Sequence, residues 1–377
     1  EQLIQAQESL EFNERARVNI NKIKAFSITK YNQKFIQVDE DLFQSGKNIL
    51  VVDQTYGDQS IKYSGASPES FRKMFQQAIK DHPSATIWVK IHPDVIAGKS
   101  QGHFLSSDLT HSNVKVLKEN YHPFDIINLM QEVYVVSSQL GFEALMCRKK
   151  VHCFGVPWYA GWGLTIDHYV PLDILDGRRG INRSLEHLFA CAYLKYALYV
   201  SPLTHKRCEL EDILEFLIPN VELHKKLPKL IIAYGFSPWK KRFIRDFLNF
   251  PKIELKFKKF FKPQKSDYIL AWGKKAKLLK DQGYKNVITV EDGFIRSIGL
   301  GASLIRPCSL VFDEIGIYYD ATKPSKIENL LKTTELTSSQ YVRAQKLRNS
   351  LVELNISKYN VGKVDKLSRP ETDKKVL

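Results

Sequence analysis

Apolar residues come in short runs along the first half of this chain, and each run gives way to a polar or Gly/Pro-rich stretch. Residues 48–52 (NILVV), 86–91 (TIWVKI), 133–136 (VYVV) and 150–154 (KVHCF) are four such runs. Their length and β-branched content predict buried strands rather than helices. Between them the period changes. Residues 68–80 carry Phe71, Met74, Phe75, Ala78 and Ile79 at helical spacing, and a helix is expected over 141–146. Residues 4–26 read as a polar helix ahead of the first strand. Strands alternating with helices in this rhythm predict a doubly wound parallel sheet. Ligands of such sheets lie beyond the carboxyl ends of the strands, which directs attention to the loops there.

A second α/β pattern follows. Helical segments over 184–217 close the first pattern, and 219–228, bounded by Pro219 and Pro228, reads as a linker. Strands are then expected at 230–234, 268–272, 286–290 and 309–313, with helices at 238–248 and 326–331. The fold class is α/β: two Rossmann-like, doubly wound halves joined by helices.

The chain also meets itself again near its end. Residues 14–32 (ERARVNINKIKAFSITKYN) overlay 342–360 (VRAQKLRNSLVELNISKYN) without a gap. They share Arg15/Arg343, Ala16/Ala344, Asn21/Asn349 and the run Lys30-Tyr31-Asn32/Lys358-Tyr359-Asn360. An offset of 328 residues, from 14 to 342, is domain-sized. It lies far beyond the roughly 20–50 residue periods of solenoids. The same offset pairs Lys47 with Lys375 and Ile49 with Leu377. The expected reading is one full period of a tandem protein, running from late in one module to part-way through the next. Four segments follow: 1–45, a helical end of a preceding half; 46–218, one whole half; 219–228, the linker; and 229–377, an incomplete half of the next module. A functional site is then expected as two halves brought in from two modules.

Composition narrows the class. The chain is 44% hydrophobic and 26% charged, the balance of a soluble globular protein. No run approaches about 18 apolar residues, so no transmembrane helix is expected, and no signal peptide is visible. Five cysteines without C-x-x-C spacing fit reduced thiols in a cytoplasmic protein, with neither a disulfide frame nor a zinc site. The net charge of +15 asks for an anionic partner. Much of it lies between 225 and 285, in KKLPK, PWKKRFIR and KFKKFFKP. No zinc finger, RNP-type aromatic motif or KH-type loop is present, which argues against nucleic acid. Interleaved Phe and Lys suit contact with a membrane surface, although a plain solvated basic face reads equally well.

Several constellations can carry chemistry. His92-Pro93-Asp94 ends a strand, flanked by Lys90 and Lys99, and offers an imidazole and two ammonium groups to an anion. A structural histidine is the simpler alternative. Ser137-Ser138 precede a helix, where hydroxyls and free N–H groups suit a phosphate, or merely cap the helix. Glu143, one turn on, is placed to accept hydrogen bonds from ribose hydroxyls. The loop DQTYGDQS puts Asp53 and Asp58 where a reacting sugar would lie, as nucleophile or base. Glu291-Asp292-Gly293 leaves a strand of the second half in the same way. One carboxylate to attack an anomeric carbon and another to take the acceptor's proton are what retaining glycosyl chemistry needs. Arg296 and Lys240-Lys241 suit the carboxylate of an acidic sugar.

At these residues the chain resembles a known family. VVDQTYGDQSI, VKIHPDVIAGKSQGHF, VYVVSSQLGFEAL, CFGVPWYAGWGLT and EDGFIRSIGLGASLIRPCSLVFDEIGIYYDATKPSKIENLL look like the KpsC/LipA family of capsule polysaccharide proteins. The likeness implies a GT-B-like fold and a bifunctional protein with two tandem modules. Each would be a retaining β-Kdo transferase using CMP-Kdo as donor, with no cofactor or metal. The acceptor implied is a β-Kdo-primed lyso-phosphatidylglycerol, and the place the cytoplasmic face of the inner membrane, beside other capsule assembly proteins. By resemblance, Asp58 matches the catalytic aspartate that forms a covalent Kdo adduct, and Asp53 a residue of the DQ motif. His92 and Pro93 match a CMP-contacting motif, Ser137, Ser138 and Glu143 the rest of the nucleotide site, and Glu291 and Asp292 the acceptor-side motif. Residues 46–218 would then be the nucleotide-sugar half of a first module and 229–377 the acceptor half of a second. The halves present belong to different modules, so the chain by itself is expected to be inactive. The alternative is a non-catalytic partner that binds glycolipid during capsule export.

Overall fold

The structure is a computed structural model that describes residues 1–377 except 33, 34, 37, 44, 45, 97, 105–107, 227, 229, 249–252, 261, 337 and 363–377. The expected pairings of Lys47 with Lys375 and Ile49 with Leu377 lie outside the described residues. The chain divides into two compact units, Glu1–Leu223 and His224–Leu377.

In the first unit β1 (Asn48–Val52), β2 (Thr86–Lys90), β3 (Val114–Leu117), β4 (Glu132–Val135), β5 (Lys150–Cys153) and β6 (Ile166–Asp167) form one parallel sheet, ordered β3-β2-β1-β4-β5-β6. The order reverses between β1 and β4, where Val51 lies beside Val89 on one flank and Tyr134 on the other. All five residues of β1 are buried, as a strand covered on both faces requires. Ile49 and Val51 join the core beneath a helix, α4 (Pro68–Asp81), with Phe71, Met74 and Phe75. Leu50 and Val52 join the opposite core, with Ile23, Trp88 and Phe142. The covering helices are α1 (Gln2–Gln5), α2 (Leu10–Ala25), α3 (Gln59–Tyr63), α4 (Pro68–Asp81), α5 (Pro93–Ile96), α6 (Pro123–Leu129), α7 (Leu140–Met146), α8 (Leu172–Gly177) and α9 (Leu185–Phe189). A π-helical turn, Ala190–Tyr196, extends α9, and a short hairpin, β7 (Tyr199–Val200) with β8 (Arg207–Cys208), precedes α10 (Leu210–Lys226).

Three expectations are corrected. The sheet has two further strands, β3 and β6, whose short sequences bury only Leu117 between them and so carry no apolar run. The single helix over 4–26 is two helices, because Ser9 is extended. Residues 219–226, expected as linker, continue α10. Pro219 sits inside that helix, Asn220 Nδ2 donates to the Phe216 carbonyl at 2.7 Å, and burial of Leu214 and Val221 keeps the helix against the core.

The second unit holds β9 (Leu230–Tyr234), α11 (Pro238–Phe247), β10 (Glu254–Lys258), β11 (Ile269–Trp272), α12 (Gly273–Asp281), β12 (Val287–Asp292), β13 (Leu310–Asp313), α13 (Lys326–Thr333) and α14 (Ser338–Glu353). Its sheet runs β10-β9-β11-β12-β13, with β13 antiparallel to β12. Strand β10 was not expected, because ELKFK alternates as a half-exposed edge does. No helix among the described residues is long and apolar enough to cross a membrane.

A polar cluster joins the amino ends of the first sheet. Lys47 Nζ lies 2.8 Å from Glu132 Oε1 and 3.2 Å from His82 Nδ1. His152 Nε2 lies 2.9 Å from Glu132 Oε2 and its Nδ1 3.1 Å from His168. Tyr134 donates to Asp81 at 3.0 Å and meets His82 at 3.1 Å. Burial opposes ionisation of Glu132, yet bonds from Lys47 and His152 prevail and hold its carboxyl at about 2. Removing this charge strands three neighbours, so Glu132→Gln is expected to cost about 3 kcal/mol in urea unfolding. The folded value lies below the ordinary one of 4.5. The contribution is therefore complete above about pH 4.5 and lost only as pH falls towards 2. An equal midpoint for both proteins at pH 7 would contradict this.

Candidate functional site

The carboxyl ends of β1, β2 and β4 open into one crevice, where the strand order reverses. Gln54 spans it. Its Oε1 accepts from the Ser137 amide at 3.0 Å, while its Nε2 donates to Ser137 Oγ at 3.1 Å, Ser60 Oγ at 3.2 Å and Asp58 Oδ2 at 3.4 Å. The loop after β1 and the loop after β4 are thereby one unit. Asp58 caps α3, accepting from the Ser60 amide at 2.9 Å, and remains half-buried. Gly57, at φ +83°, makes the turn that delivers it.

Asp53 is almost fully buried. Its Oδ1 accepts from the amides of Gln54 at 2.9 Å and His103 at 3.0 Å. Burial outweighs those bonds and pushes its carboxyl up to about 6. Glu143, on α7, is likewise buried and pushed up to about 7, opposed only by Lys90. Lys90 ends β2, and burial holds its ammonium below the ordinary lysine range, with Glu143 acting the other way. Among the described residues these two form no ion pair within 4.0 Å, so each charge stays in a poorly solvated crevice without a direct partner. His92 follows β2. Burial lowers its pKa, and both Asp94 and Asp58 pull it back up, which puts His92 within electrostatic reach of Asp58. Pro93 begins the turn α5.

The other expected residues divide. Ser137 is committed to Gln54 and Ser60. Ser138, one residue ahead of the α7 N-cap Gln139, accepts from the Leu140 amide at 3.3 Å, while its carbonyl takes the Tyr159 hydroxyl. Lys99 is exposed. Reading the sequence missed Gln54 and His103. The His103 ring stacks on Phe71 at 3.9 Å and is also drawn by Asp58. Gln54 had a signal in its place directly after Asp53 at a strand's end; His103 had only its place within the family-like stretch VKIHPDVIAGKSQGHF. On the far side of α7 lies an apolar cavity of about 880 Å³, which Glu143 and Gln139 border together with Ile23, Trp158 and Leu214.

In the second unit Glu291 and Asp292 end β12. Glu291 accepts from Tyr319 at 2.8 Å, and burial raises its pKa against that bond and against Lys240. Lys240 stands 3.4 Å over the Trp272 ring. Arg296, expected to face a sugar carboxylate, is buried. Its Nε lies 2.8 Å from Asp292 Oδ2, and its Nη1 donates to Ser297 Oγ at 2.8 Å and the Ile305 carbonyl at 3.0 Å. Its fork is turned on its own loop, because the chain curls back over it between 296 and 305.

Strand-end carboxyl loops on Rossmann-like units define a GT-B-like α/β protein. The chain belongs to the family of capsule polysaccharide biosynthesis proteins, whose family model matches residues 5–199 and 268–367. It is 38% identical over its whole length to the capsule polysaccharide modification protein LipA of Neisseria meningitidis serogroup A, and covers 55% of that protein. It is 32% identical to the lipopolysaccharide-processing protein LpsZ of Rhizobium meliloti over 59% of this chain and 49% of LpsZ. The chain spans about half the length of the curated relatives it matches. The solved KpsC of Thermosulfurimonas dismutans, a beta Kdo 2,4 transferase, superposes with a TM-score of 0.52 at 38% identity, over 56% of this chain and 64% of that one.

Asp53 gives a direct test of the crevice electrostatics. Its folded value of about 6 lies above the ordinary 3.8, so the native state loses stability as pH rises from 3.8 to about 6 and carries the whole penalty above that. Asp53→Asn keeps an oxygen for both amides and removes that penalty. It is expected to stabilise the chain by about 2–3 kcal/mol at pH 7.5 and hardly at all at pH 4. Urea midpoints at both pH values check this, and a variant no more stable at pH 7.5 would refute it.

Proposed function

We propose that this chain carries the donor-binding half of one retaining Kdo transferase module and the acceptor half of another, acting in capsule polysaccharide assembly. The reading is carried by Asp58, the half-buried carboxylate at the reversal of strand order, with His92 in electrostatic reach. It draws support from the 38% identity to a Kdo transferase. CMP-Kdo would lie in the crevice with its phosphate towards His92 and the charge of Lys90, and its ribose towards Glu143. An Asp58 oxygen attacks the anomeric carbon as the bond to the CMP oxygen breaks, and CMP leaves with the electron pair. An acceptor hydroxyl then attacks the same carbon from the face CMP left, expels Asp58 and gives up its proton, so two inversions yield retention. In its own module, the Glu291–Asp292 loop would hold the acceptor and take that proton. The acceptor in this reading is a β-Kdo-primed lyso-phosphatidylglycerol at the cytoplasmic face of the inner membrane. The basic, Phe-containing stretch about β10 provides contact with anionic lipid.

Asp58→Ala is expected to abolish transfer by a protein holding both halves of the first module, and to leave CMP affinity within a few-fold. Near-normal turnover would exclude the covalent role. His92→Ala is expected to weaken CMP binding by about 1–3 kcal/mol in calorimetry, the cost of a lost bond to a charged group; unchanged affinity would move the nucleotide elsewhere. The 377-residue chain alone is expected to bind CMP and to show little transfer, since misplacement by about 1 Å costs on the order of a hundredfold in rate. Full-length protein that consumes no CMP-Kdo with a Kdo-primed lipid would favour the non-catalytic glycolipid-binding alternative.

A further inference from the structure

The internal repeat is structural as well as sequential. Helices α2 (Leu10–Ala25) and α14 (Ser338–Glu353) begin and end at the same offset of 328 residues. Both are followed by a left-handed residue, Ser27 at φ +53° and Asn355 at φ +52°. The next amides, Ile28 and Ile356, bond to the carbonyls of Ile23 and Leu351, each at 2.9 Å. Each copy then closes the same turn. The Thr29 amide donates to Asn32 Oδ1 at 2.8 Å, and the Ser357 amide to Asn360 Oδ1 at 2.8 Å. The Asn32 and Asn360 amides return bonds to Thr29 Oγ1 and Ser357 Oγ at 3.1 and 3.0 Å.

What the copies touch is different. In the first, the helix is seated: Ala16, Asn19, Ile20 and Ile23 are buried, Arg15 pairs with Glu209 and Glu211 at 3.1 and 3.0 Å, and Asn19 donates to Glu211 at 2.8 Å. Among the described residues its turn has no equivalent seat, and Tyr31 is 73% exposed. In the second, the turn is seated. The Lys358 carbonyl accepts from the Arg296 amide at 2.8 Å, and the Tyr359 carbonyl from the Gly299 amide at 2.8 Å. Asn360 Nδ2 donates to the Ser297 carbonyl at 3.1 Å, and Lys358 Nζ to Tyr318 at 3.2 Å. Among the described residues the matching face of its helix is uncovered, with Ala344, Leu347 and Arg348 exposed and Leu351 half-buried.

We infer that the repeated segment is a brace with two seats. Its helix lies on a donor-type half and its Lys-Tyr-Asn turn clasps the loop after a Glu-Asp-Gly strand end. The exposed face of α14 is then a docking surface for a second donor-type half, built like residues 46–218. The occupant is specified by the copy already seated. Arg343 stands at the position of Arg15 and meets an acidic pair equivalent to Glu209 and Glu211. Ala344, Leu347 and Leu351 stand at the positions of Ala16, Asn19 and Ile23 and meet an apolar groove. Arg348 replaces the buried Ile20 and Leu347 the Asn19 that bonds Glu211, so the groove that takes α14 is more polar at the first point and more apolar at the second. This surface joins protein to protein, and the inference does not depend on the sugar chemistry proposed above.

Hydrogen exchange tests it in the full chain. Amides of α14 are expected to exchange at least about tenfold faster than those of α2, and Asn360→Ala is expected to speed exchange at Arg296, Ser297 and Gly299. Equal protection of the two helices, at any protein concentration, would overturn the inference, since it would mean α14 is already covered. In a second protein, residues 50–223 are appended after Leu377, which continues the repeat in register. There α14 is expected to slow by at least about tenfold, and Arg343→Glu with Leu351→Glu to undo the slowing. If the appended strands are as protected as β1 and β4 but α14 is unchanged, the docking surface is refuted. If they are not, the comparison of α2 with α14 in the 377-residue chain decides.

Discussion

The amide of Gln54 is the joint on which the first unit's site depends. In a doubly wound sheet the strands on either side of the order reversal send their chains in opposite directions, and a gap opens between the loops that follow. β1 and β4 are those strands here, and Gln54 closes the gap with bonds to the amide and hydroxyl of Ser137. The same nitrogen reaches Ser60 and Asp58, so the loop after β1 is located by the sheet and not by its own flexibility. An amide suits this task because one side chain offers both a donor and an acceptor; a carboxylate there would face the Ser137 amide well but could not donate to Asp58.

The charges around that joint contrast with those at the other end of the sheet. Glu132 is bonded by Lys47 and His152 and ionises easily, as a structural carboxylate does. Asp53, Glu143 and Lys90 are buried with too little compensation, and each is pushed towards its neutral form. Such groups weaken a fold, and they cluster where an anionic ligand or a reaction makes use of them. The asymmetry between the two ends of one sheet singles out the carboxyl end as the candidate site, on energetic grounds separate from topology.

The repeated segment shows how one sequence serves two surfaces. Its local bonds are the same in both copies because they join residues within a few positions of one another. Its burial differs because the partners are distant in the chain: Glu209 and Glu211 for one copy, the loop from Arg296 to Gly299 for the other.

Sequence by itself determined the alternation of strands and helices, the α/β class, the repeat and the strand-end positions of Asp53, Asp58, His92, Ser137, Glu291 and Asp292. All of these rest on periodicity and local composition, which a linear reading captures. It passed over β3, β6 and β10, which lack apolar runs, and it took residues 219–226 for linker because proline's local preference was overridden by the burial of Leu214 and Val221. Only the tertiary structure decided that Arg296 is enclosed by its own loop and that Gln54 and His103 belong to the crevice. Gln54 meets Ser137 across 83 positions, a meeting set by sheet order and packing; Arg296 is enclosed by bonds reaching only as far as Ile305, which depend on how its own loop closes rather than on local propensity.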